Sequence, residues 1–468
     1  MRVVLISTYE LGRQPFGLAS PAAWLREAGA EVTCADLTRT PLPEEAACDA
    51  DLIAFFLPMH TATRLALPVI DRVRALNPSA HLVAYGLYAP LNEALLRERG
   101  VTTILGPEFE ADLMQLTGGT RLQPRPETLR GRAILPRFVF KTPDRAGLPP
   151  LEKYARLQMP DGTERTVGYT EASRGCKHLC RHCPIVPVYN GLFRAVPAEV
   201  VLADIRVQVA AGARHVTFGD PDFFNGVTHA LRIVRDLSRE HPGLSYDATI
   251  KIEHLIDHAA ALPELAATGC AFVTSAVESI DDDVLAKLRK GHTRGDFERA
   301  VGLCREARIP LVPTFVTFTP WTTRRGYVQL LDEIERFDLV EHVAPIQLAI
   351  RLLVTQGSPL LELPDMRAVA GPFNPRTLTH PWRHTEPDVD DLQRQIEALV
   401  GRRVTASRRE VFEAVYNLAD PANAECRRPN AEGAGSNAEC PMPNAESITA
   451  VPRISRSAIP FLTEPWYC

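Results

Sequence analysis

The 468-residue sequence lacks several features that would set it apart from ordinary globular proteins. No segment approaches the ~18 consecutive apolar residues that are needed to span a bilayer. Positive charge is not in excess: the net charge is −5, which argues against a dedicated nucleic-acid or anionic-membrane binder. Ten cysteines in a chain of this length do not resemble the dense disulfide framework of short secreted domains. We therefore expect a cytoplasmic protein of two or three domains, with neither nucleic acid nor membrane among its partners.

Three of the cysteines are concentrated in one short segment. Cys176, Cys180 and Cys183 are separated by three and then two residues, so they must lie on one tight loop. Thiolates favour soft metals, and a four-iron cluster normally takes four of them. Three ligands would leave one iron open to another molecule, as catalytic metal sites do. The alternative is a structural zinc site completed by His178 or His182, but such sites usually have two separated ligand pairs, and no second pair is present.

The first 117 residues alternate short apolar runs with helical patterns. Strands are predicted at 2–7, 31–35, 51–57, 81–86 and 102–105, and helices at 22–28, 63–75 and 91–99. This alternation predicts a doubly wound, Rossmann-like α/β domain that binds ligands at the carboxyl ends of its strands. Residues 118–165 are rich in Pro, Gly and Arg and are interpreted as a linker.

The strand–helix rhythm resumes at residue 166. Six strands are predicted, at 166–171, 215–219, 245–251, 271–276, 311–317 and 343–350. Six strand–helix units predict a partial (β/α)6 barrel over residues 166–360, with functional residues at the carboxyl ends of the strands. The three cysteines follow the first of these strands. Residues 361–420 are predicted to form a C-terminal helical region.

The cysteine segment Arg174-Gly-Cys-Lys-His-Leu-Cys-Arg-His-Cys-Pro184 resembles the radical S-adenosylmethionine (SAM) superfamily. The resemblance implies that the three cysteines are metal ligands and catalytic residues: they would hold a [4Fe–4S] cluster whose fourth iron binds SAM. An electron donor such as a flavodoxin or ferredoxin would reduce the cluster. SAM would then yield a 5′-deoxyadenosyl radical that acts on an unknown small-molecule or peptide substrate. The alternative outside the enzymes is a non-catalytic iron–sulfur or zinc scaffold.

The resemblance also implies cofactor-binding residues at other strand ends. His182 would lie near the adenine of SAM, and Asp220 and Asp222 would supply the carboxylates near its amino group. Glu278, which precedes a helix and the run Lys290-Gly-His-Thr293, would accept hydrogen bonds from the ribose hydroxyls.

Position at a strand end alone suggests two further contacts. Lys251 is expected to bind the SAM carboxylate or the substrate, with a solvent-facing pair with Glu253 as the alternative. Arg351 is expected to bind a substrate carboxylate or phosphate, with an ion pair at the barrel rim as the alternative.

The N-terminal domain resembles the cobalamin-binding domain that precedes the core in one branch of the superfamily. The turn Gly106-Pro-Glu-Phe-Glu110 is similar to the Gly-Glu-x-Glu signature of that branch, and residues 144–154 resemble its interdomain segment. The resemblance allows cobalamin as a further cofactor and cobalamin-dependent methyl transfer as an alternative reaction. The Asp-x-His-x-x-Gly loop that supplies a cobalt ligand in many cobalamin proteins is absent, so a domain kept for shape or substrate contact is the other interpretation.

Residues 421–468 are interpreted as a low-complexity tail. Asn-Ala-Glu recurs with a period of seven from residue 423, but the repeat has too few apolar residues for a coiled coil and predicts disorder. The end, Glu464-Pro-Trp-Tyr-Cys468, resembles the CUAEP/CCAEP-tail radical SAM group, some members of which carry selenocysteine. We expect an in-frame UGA codon after Cys468; an ordinary terminal thiol is the alternative.

Overall fold

A computed structural model describes residues 1–118, 139–421 and 459–463. The tail repeat and Cys468, on which the selenocysteine hypothesis rests, lie outside these residues. Among the described residues, no helix combines the length and the apolar character that crossing a membrane would require.

The N-terminal part is a five-stranded parallel sheet with helices on both faces. Its strands are β1 (Arg2–Ser7), β2 (Glu31–Asp36), β3 (Leu52–Phe56), β4 (His81–Tyr85) and β5 (Thr103–Ile104), in the order β2-β1-β3-β4-β5. Its helices are α1 (Phe16–Glu27), α2 (Glu44–Asp49), α3 (His60–Leu76), α4 (Glu93–Glu98) and α5 (Glu110–Thr117). The predicted doubly wound domain is confirmed.

Apolar runs without alternation produce this sheet because both of its faces are covered. Val3 and Leu5 pack into the hydrophobic cluster under α1 and α5, whereas Val4 and Ile6 pack into the cluster under α3. Strands of parallel sheets therefore read as continuous apolar segments.

The second sheet forms the partial barrel. Its parallel strands are β7 (Glu164–Thr170), β10 (His215–Phe218), β11 (Ser245–Thr249), β12 (Cys270–Glu278) and β13 (Leu311–Phe315). Two short antiparallel strands, β6 (Arg156–Gln158) and β14 (Phe461–Leu462), extend the edge beyond β7. A two-stranded ribbon, β8 (Ser173–Gly175) and β9 (Phe193–Ala195), lies between β7 and the first barrel helix and encloses the short helix α6 (Val186–Tyr189).

The helices that cover the barrel strands are α7 (Ala198–Ala210), α8 (Val227–Glu240), α9 (Ile252–Asp257), α10 (Leu262–Ala267), α11 (Asp282–Leu288), α12 (Arg294–Glu306) and α13 (Arg324–Arg336). Three more helices follow: α14 (Pro364–Val369), α15 (Pro387–Arg402) and α16 (Arg408–Ala419). Ile396 of α15 and Phe412 of α16 belong to the same hydrophobic cluster as Leu331 of α13. The helical region therefore shares the core of the barrel.

The predicted sixth strand, 343–350, is wrong. Residues Pro345–Leu348 form a 3-10 helix, and pairing in this region is a single parallel bridge between Phe318 and Arg351. Pro345 has no amide hydrogen to donate to a ladder. The Gln347 side chain instead accepts a hydrogen bond from the backbone nitrogen of Phe315 at 2.9 Å, where a strand would have offered a carbonyl.

Candidate functional site

The cysteine loop begins where the ribbon β8–β9 ends. Gly175 has a φ of +77°, and a Cβ atom there would lie 2.4 Å from the Leu192 carbonyl oxygen. Only glycine fits this turn, and the next residue, Cys176, donates its backbone N–H to the same carbonyl at 3.1 Å. The ribbon thus fixes the direction in which the loop leaves the barrel.

The loop is tied to two neighbouring strand ends. Asn225, in the segment after β10, accepts a hydrogen bond from the backbone of Lys177 at 3.1 Å. On the other side, Arg181 donates its backbone N–H to Leu288 and its guanidinium to Lys287, both at 2.9 Å. Asn225 was not predicted: its role depends on a contact across the fold, which leaves no local sequence signal.

The three thiols are free and lie in a partly buried environment. Cys180 is buried, whereas Cys176 and Cys183 are half-buried. Burial raises the pKa of Cys176, and it raises the pKa of Cys183 to about 12, so these thiols are protonated without a cation. A bound metal would remove these protons, because coordinating thiols are deprotonated outright.

Glu278 lies at the end of β12, opposite the cysteine loop. Its φ of 68° is left-handed, and the pairing with β13 shifts register between Ala276 and Glu278. Such strain in a residue other than glycine costs about 1–3 kcal/mol and clusters at functional sites.

The Glu278 carboxylate has two partners. His182 Nε2 lies 3.0 Å from Oε1, and the buried Lys290 donates to the same oxygen at 3.3 Å. Burial alone would raise the pKa of Glu278, but Lys290 and His182 outweigh it and hold the pKa at about 2. The structure therefore brings together two residues predicted to bind the adenosine part of SAM. Lys290, within the Lys-Gly-His-Thr run, was not among the predicted site residues.

Asp220 supports the start of the ribbon. Its Oδ2 accepts from the Ala172 backbone at 2.9 Å, and its Oδ1 accepts from the Ser173 hydroxyl at 2.5 Å. Burial raises the pKa of this carboxyl to about 7. Each oxygen accepts one of these bonds, so in the ionised form each keeps a further lone pair for the predicted contact with the SAM amino group.

Asp222 and Lys251 lie beside the cysteine loop. Asp222 Oδ2 is 2.7 Å from His254 Nδ1 and 3.5 Å from His178 Nε2. Burial acts to raise the pKa of Asp222, but the two histidines hold it at about 2. Lys251 pairs with Glu253, and its Nζ lies 3.0 Å from His178 Nδ1. Lys251 is buried, so the pair is not the solvent-facing one that was the alternative.

Residues 170–334 match the sequence profile described as the Radical SAM superfamily. This part of the chain belongs to the radical SAM superfamily. The cofactors that such a domain implies are a [4Fe–4S] cluster and SAM.

Two curated relatives are, by name, a synthase of a methylthiolated tRNA nucleoside and a ribosomal-protein methylthiotransferase. The chain is 27% identical over 202 residues to tRNA-2-methylthio-N(6)-dimethylallyladenosine synthase of Desulfosudis oleivorans, covering 40% of this chain and 41% of that protein. It is 25% identical over 263 residues to ribosomal protein uS12 methylthiotransferase RimO of Geobacter sulfurreducens, covering 52% of each. The chain thus spans about half the length of the curated relatives it matches or less.

Two solved structures share the fold. The cobalamin-dependent SAM radical enzyme OxsB, with aqua-cobalamin and SAM bound, superposes with a TM-score of 0.68 at 14% identity over 89% of this chain and 70% of that chain. The radical SAM methyltransferase TsrM from Kitasatospora setae, with tryptophan and aza-SAM bound, gives 0.57 at 19% identity over 72% of each chain. At these identities the likeness shows the fold alone.

The donor set of the radical SAM domain fits a [4Fe–4S] cluster. Three thiols extend from one loop, none is in a disulfide, and soft thiolates are the ligands that iron–sulfur clusters take. The buried ammonium of Lys290 interacts electrostatically with the thiol groups of Cys180 and Cys183. This positive charge favours an anionic cluster at this position.

The N-terminal domain clamps the ribbon that leads into the cysteine loop of the radical SAM domain. Arg174 of β8 forms a 2.6 Å ion pair with Glu110, and both side chains are buried. Arg194 of β9 binds Glu108 through two bonds of 2.7 and 2.9 Å. Both glutamates of the Gly106–Glu110 turn therefore bind arginines of the radical SAM domain.

The carboxyl edge of the N-terminal sheet is covered by other parts of the chain. Leu378 is 1% exposed and belongs to the hydrophobic cluster that contains Leu57 at the end of β3. His60 Nε2 lies 2.6 Å from the Thr377 carbonyl oxygen, so its N–H donates there and this nitrogen is not available to cobalt. In this arrangement neither Leu378 nor His60 offers a ligand to cobalt at this edge.

Arg351 is engaged away from the cysteine loop. Its guanidinium donates to Asp390 and to the Trp382 carbonyl, both at 2.7 Å, and lies 3.5 Å from the centre of the Trp382 ring. This is the rim ion pair that was the alternative, so the contacts of Arg351 do not support the predicted grip on a substrate.

Proposed function

We propose that Cys176, Cys180 and Cys183 hold the [4Fe–4S] cluster and that SAM binds between the cysteine loop and the end of β12. The observation that carries this proposal is the 3.0 Å contact between His182 and Glu278, which joins the two sides of the site. When bound, the cluster supplies one electron that cleaves SAM to methionine and a 5′-deoxyadenosyl radical, which takes a hydrogen atom from the substrate.

The chain contributes binding and orientation. An ionised Glu278 accepts hydrogen bonds from the ribose hydroxyls, and its pKa of about 2 keeps it ionised at any physiological pH. Lys290 neutralises that buried charge and fixes the carboxylate, while His182 lies against the adenine. Lys251 is the proposed contact for the methionine end of SAM. Burial of the site excludes water from a reactive intermediate.

The substrate is proposed to be a small molecule or a peptide, and reduction to come from a flavodoxin or ferredoxin. The names of the curated relatives specify a tRNA product and ribosomal protein uS12. A net charge of −5 does not favour tRNA, because nucleic-acid binders need a positive field.

The decisive experiment is production of 5′-deoxyadenosine by the anaerobically reconstituted protein with SAM and dithionite. We expect product from the wild type and none from Cys180→Ala. Cys48→Ala is the matched control, because Cys48 is an exposed cysteine of α2, and it should retain full activity. An intact cluster without any 5′-deoxyadenosine would instead support a non-catalytic scaffold.

Cobalamin-dependent methyl transfer is the second candidate. The five-stranded parallel sheet next to a radical SAM domain supports it, since OxsB and TsrM share this fold. The covered edge at Leu378 argues against it. Absorbance of the protein purified from cobalamin-fed cells separates the two: a corrinoid spectrum with S-adenosylhomocysteine formation supports methyl transfer, and its absence supports radical hydrogen abstraction.

A further inference from the structure

Three side chains that converge beside the cysteine loop form a group with the composition of a metal site. His178 lies on the loop, Asp222 follows β10, and His254 lies on α9. One atom from each, His178 Nε2, Asp222 Oδ2 and His254 Nδ1, lies within 4.8 Å of the other two. We call these residues the His–Asp–His group.

The three facing atoms are buried, and none makes a hydrogen bond to the described residues. The shortest separation is 2.7 Å, between Asp222 Oδ2 and His254 Nδ1, but this pair does not have hydrogen-bond geometry. Buried polar atoms without partners are unfavourable and rare, so three that share one centre call for a ligand.

The far side of the His178 ring faces two charged groups. Lys251 Nζ lies 3.0 Å and Glu253 Oε2 lies 3.5 Å from His178 Nδ1. A metal at Nε2 requires the proton to be on Nδ1, where Glu253 would accept it. A carboxylate behind a ligating histidine is the usual outer-shell arrangement. Lys251 pairs with the same Glu253 carboxylate and offsets its charge.

We propose that the His–Asp–His group binds a divalent transition-metal ion, Fe²⁺ or Zn²⁺, beside the [4Fe–4S] site. Two imidazoles and one carboxylate leave coordination positions open, as in the two-histidine-one-carboxylate iron sites. Bond lengths of about 2.0–2.1 Å place ligand atoms of a tetrahedral site about 3.3 Å apart, so small side-chain rotations close the observed geometry.

Zinc is the probe, and the cluster-containing protein is the sample. Protein incubated with Zn²⁺ is desalted and analysed for zinc and iron, and zinc-edge X-ray absorption reports the ligands. We expect one zinc per chain with nitrogen and oxygen neighbours at about 2.0–2.2 Å, no sulfur at about 2.3 Å, and unchanged cluster iron. Sulfur neighbours would show that zinc had entered the cysteine loop and would overturn the proposal.

Variants separate ligands from neighbours. His254→Ala and Asp222→Asn should each lower zinc affinity more than about tenfold with cluster iron retained, and Glu253→Gln should lower it about 10–100-fold. His258→Ala is the matched control, since the His258 ring packs against His254 with centroids 5.6 Å apart but is not a member of the group. It should bind zinc like the wild type. Retention of zinc by both His254→Ala and Asp222→Asn would overturn the proposal.

A competition with SAM distinguishes the metal from the methionine end of SAM. Saturating SAM should leave the zinc bound; release of zinc by SAM would assign the group to SAM and overturn the metal site. Production of 5′-deoxyadenosine is measured on the same samples. A wild-type protein that forms 5′-deoxyadenosine but binds no zinc would overturn this proposal alone, not radical SAM activity.

Discussion

Replacing Glu110 with glutamine should loosen the attachment of the cysteine loop to the N-terminal domain. The Glu110 side chain is 1% exposed and that of Arg174 is 8% exposed, and their charged atoms are 2.6 Å apart. The Ser20 hydroxyl donates to the same glutamate oxygen at 2.7 Å. The substitution keeps the shape and one acceptor oxygen but removes the charge that compensates a buried guanidinium.

The expected loss in the free energy of unfolding follows from the partners that remain. Removing one member of a buried ion pair typically costs about 3–5 kcal/mol. Arg174 retains Glu171, 2.9 Å away, and glutamine can still accept a hydrogen bond. We therefore expect the lower end of the range, about 3 kcal/mol.

The assay is urea unfolding followed by circular dichroism, together with cluster iron after reconstitution. Glu93→Gln is the matched control, because its pair with Arg97 joins side chains that are 45% and 51% exposed. An exposed pair at this helical spacing contributes about 0.3–0.5 kcal/mol, so this variant should unfold almost like the wild type. Glu110→Gln should also lose iron faster to a chelator.

Equal unfolding midpoints for Glu110→Gln and Glu93→Gln would refute the reasoning about the buried pair. If Glu110→Gln is destabilised but keeps iron as well as the wild type, the ion pair between Glu110 and Arg174 does not support the cysteine loop.

Three further predictions concern the strand-end residues and the ribbon. Glu278→Gln should weaken SAM binding at least about tenfold in calorimetric titration of the holoprotein, because it removes a charged acceptor, and unchanged affinity would exclude the ribose contact. Burial, aided by nearby lysines, lowers the pKa of His292 to about 4, below the unfolded value of about 6.5. Between these two pKa values the unfolded state binds more protons than the folded state. The free energy of unfolding should therefore fall by up to about 3 kcal/mol from pH 6.5 to pH 4. In urea titrations, His292→Gln should show a smaller fall over the same pH range. Gly175→Ala should abolish cluster assembly, measured by iron content, whereas Gly302→Ala, inside α12 with no heavy atom near its Cβ position, should stabilise by about 0.5–1 kcal/mol.

Most of the fold could be predicted from local sequence patterns. Most strands of the N-terminal sheet are apolar runs at intervals of helical length, which is how a parallel sheet covered on both faces must appear. The exception was the segment 343–350. Its composition is that of a strand, but Pro345 has no N–H to donate to a β-ladder. The Gln347 side chain, rather than a strand carbonyl, accepts the hydrogen bond from the Phe315 backbone. A side chain that replaces a backbone partner leaves no periodic signal.

In the candidate site, too, residues grouped in the sequence could be predicted, and residues that depend on distant contacts could not. Cys176, Cys180 and Cys183 could be identified because their ligand function requires close spacing in sequence. Lys290 and His254 could not, since each acquires its role from a contact with a distant segment. The sequence therefore indicates which chemistry a loop carries, whereas the electrostatic partners of that chemistry emerge only after folding.

The position of the clamp suggests why the N-terminal domain stays with the radical SAM domain even where its ligand edge is covered. The turn Gly106–Glu110 follows the last strand of the sheet, where a Rossmann-like domain would bind a ligand. Here its two glutamates hold Arg174 and Arg194, one on each strand of the ribbon that leads into the cysteine loop. A loop that must hold its thiols in fixed positions needs support from rigid elements. We infer that this domain supplies that support through Glu108 and Glu110, and that its removal would expose two arginines and free the ribbon whether or not cobalamin binds.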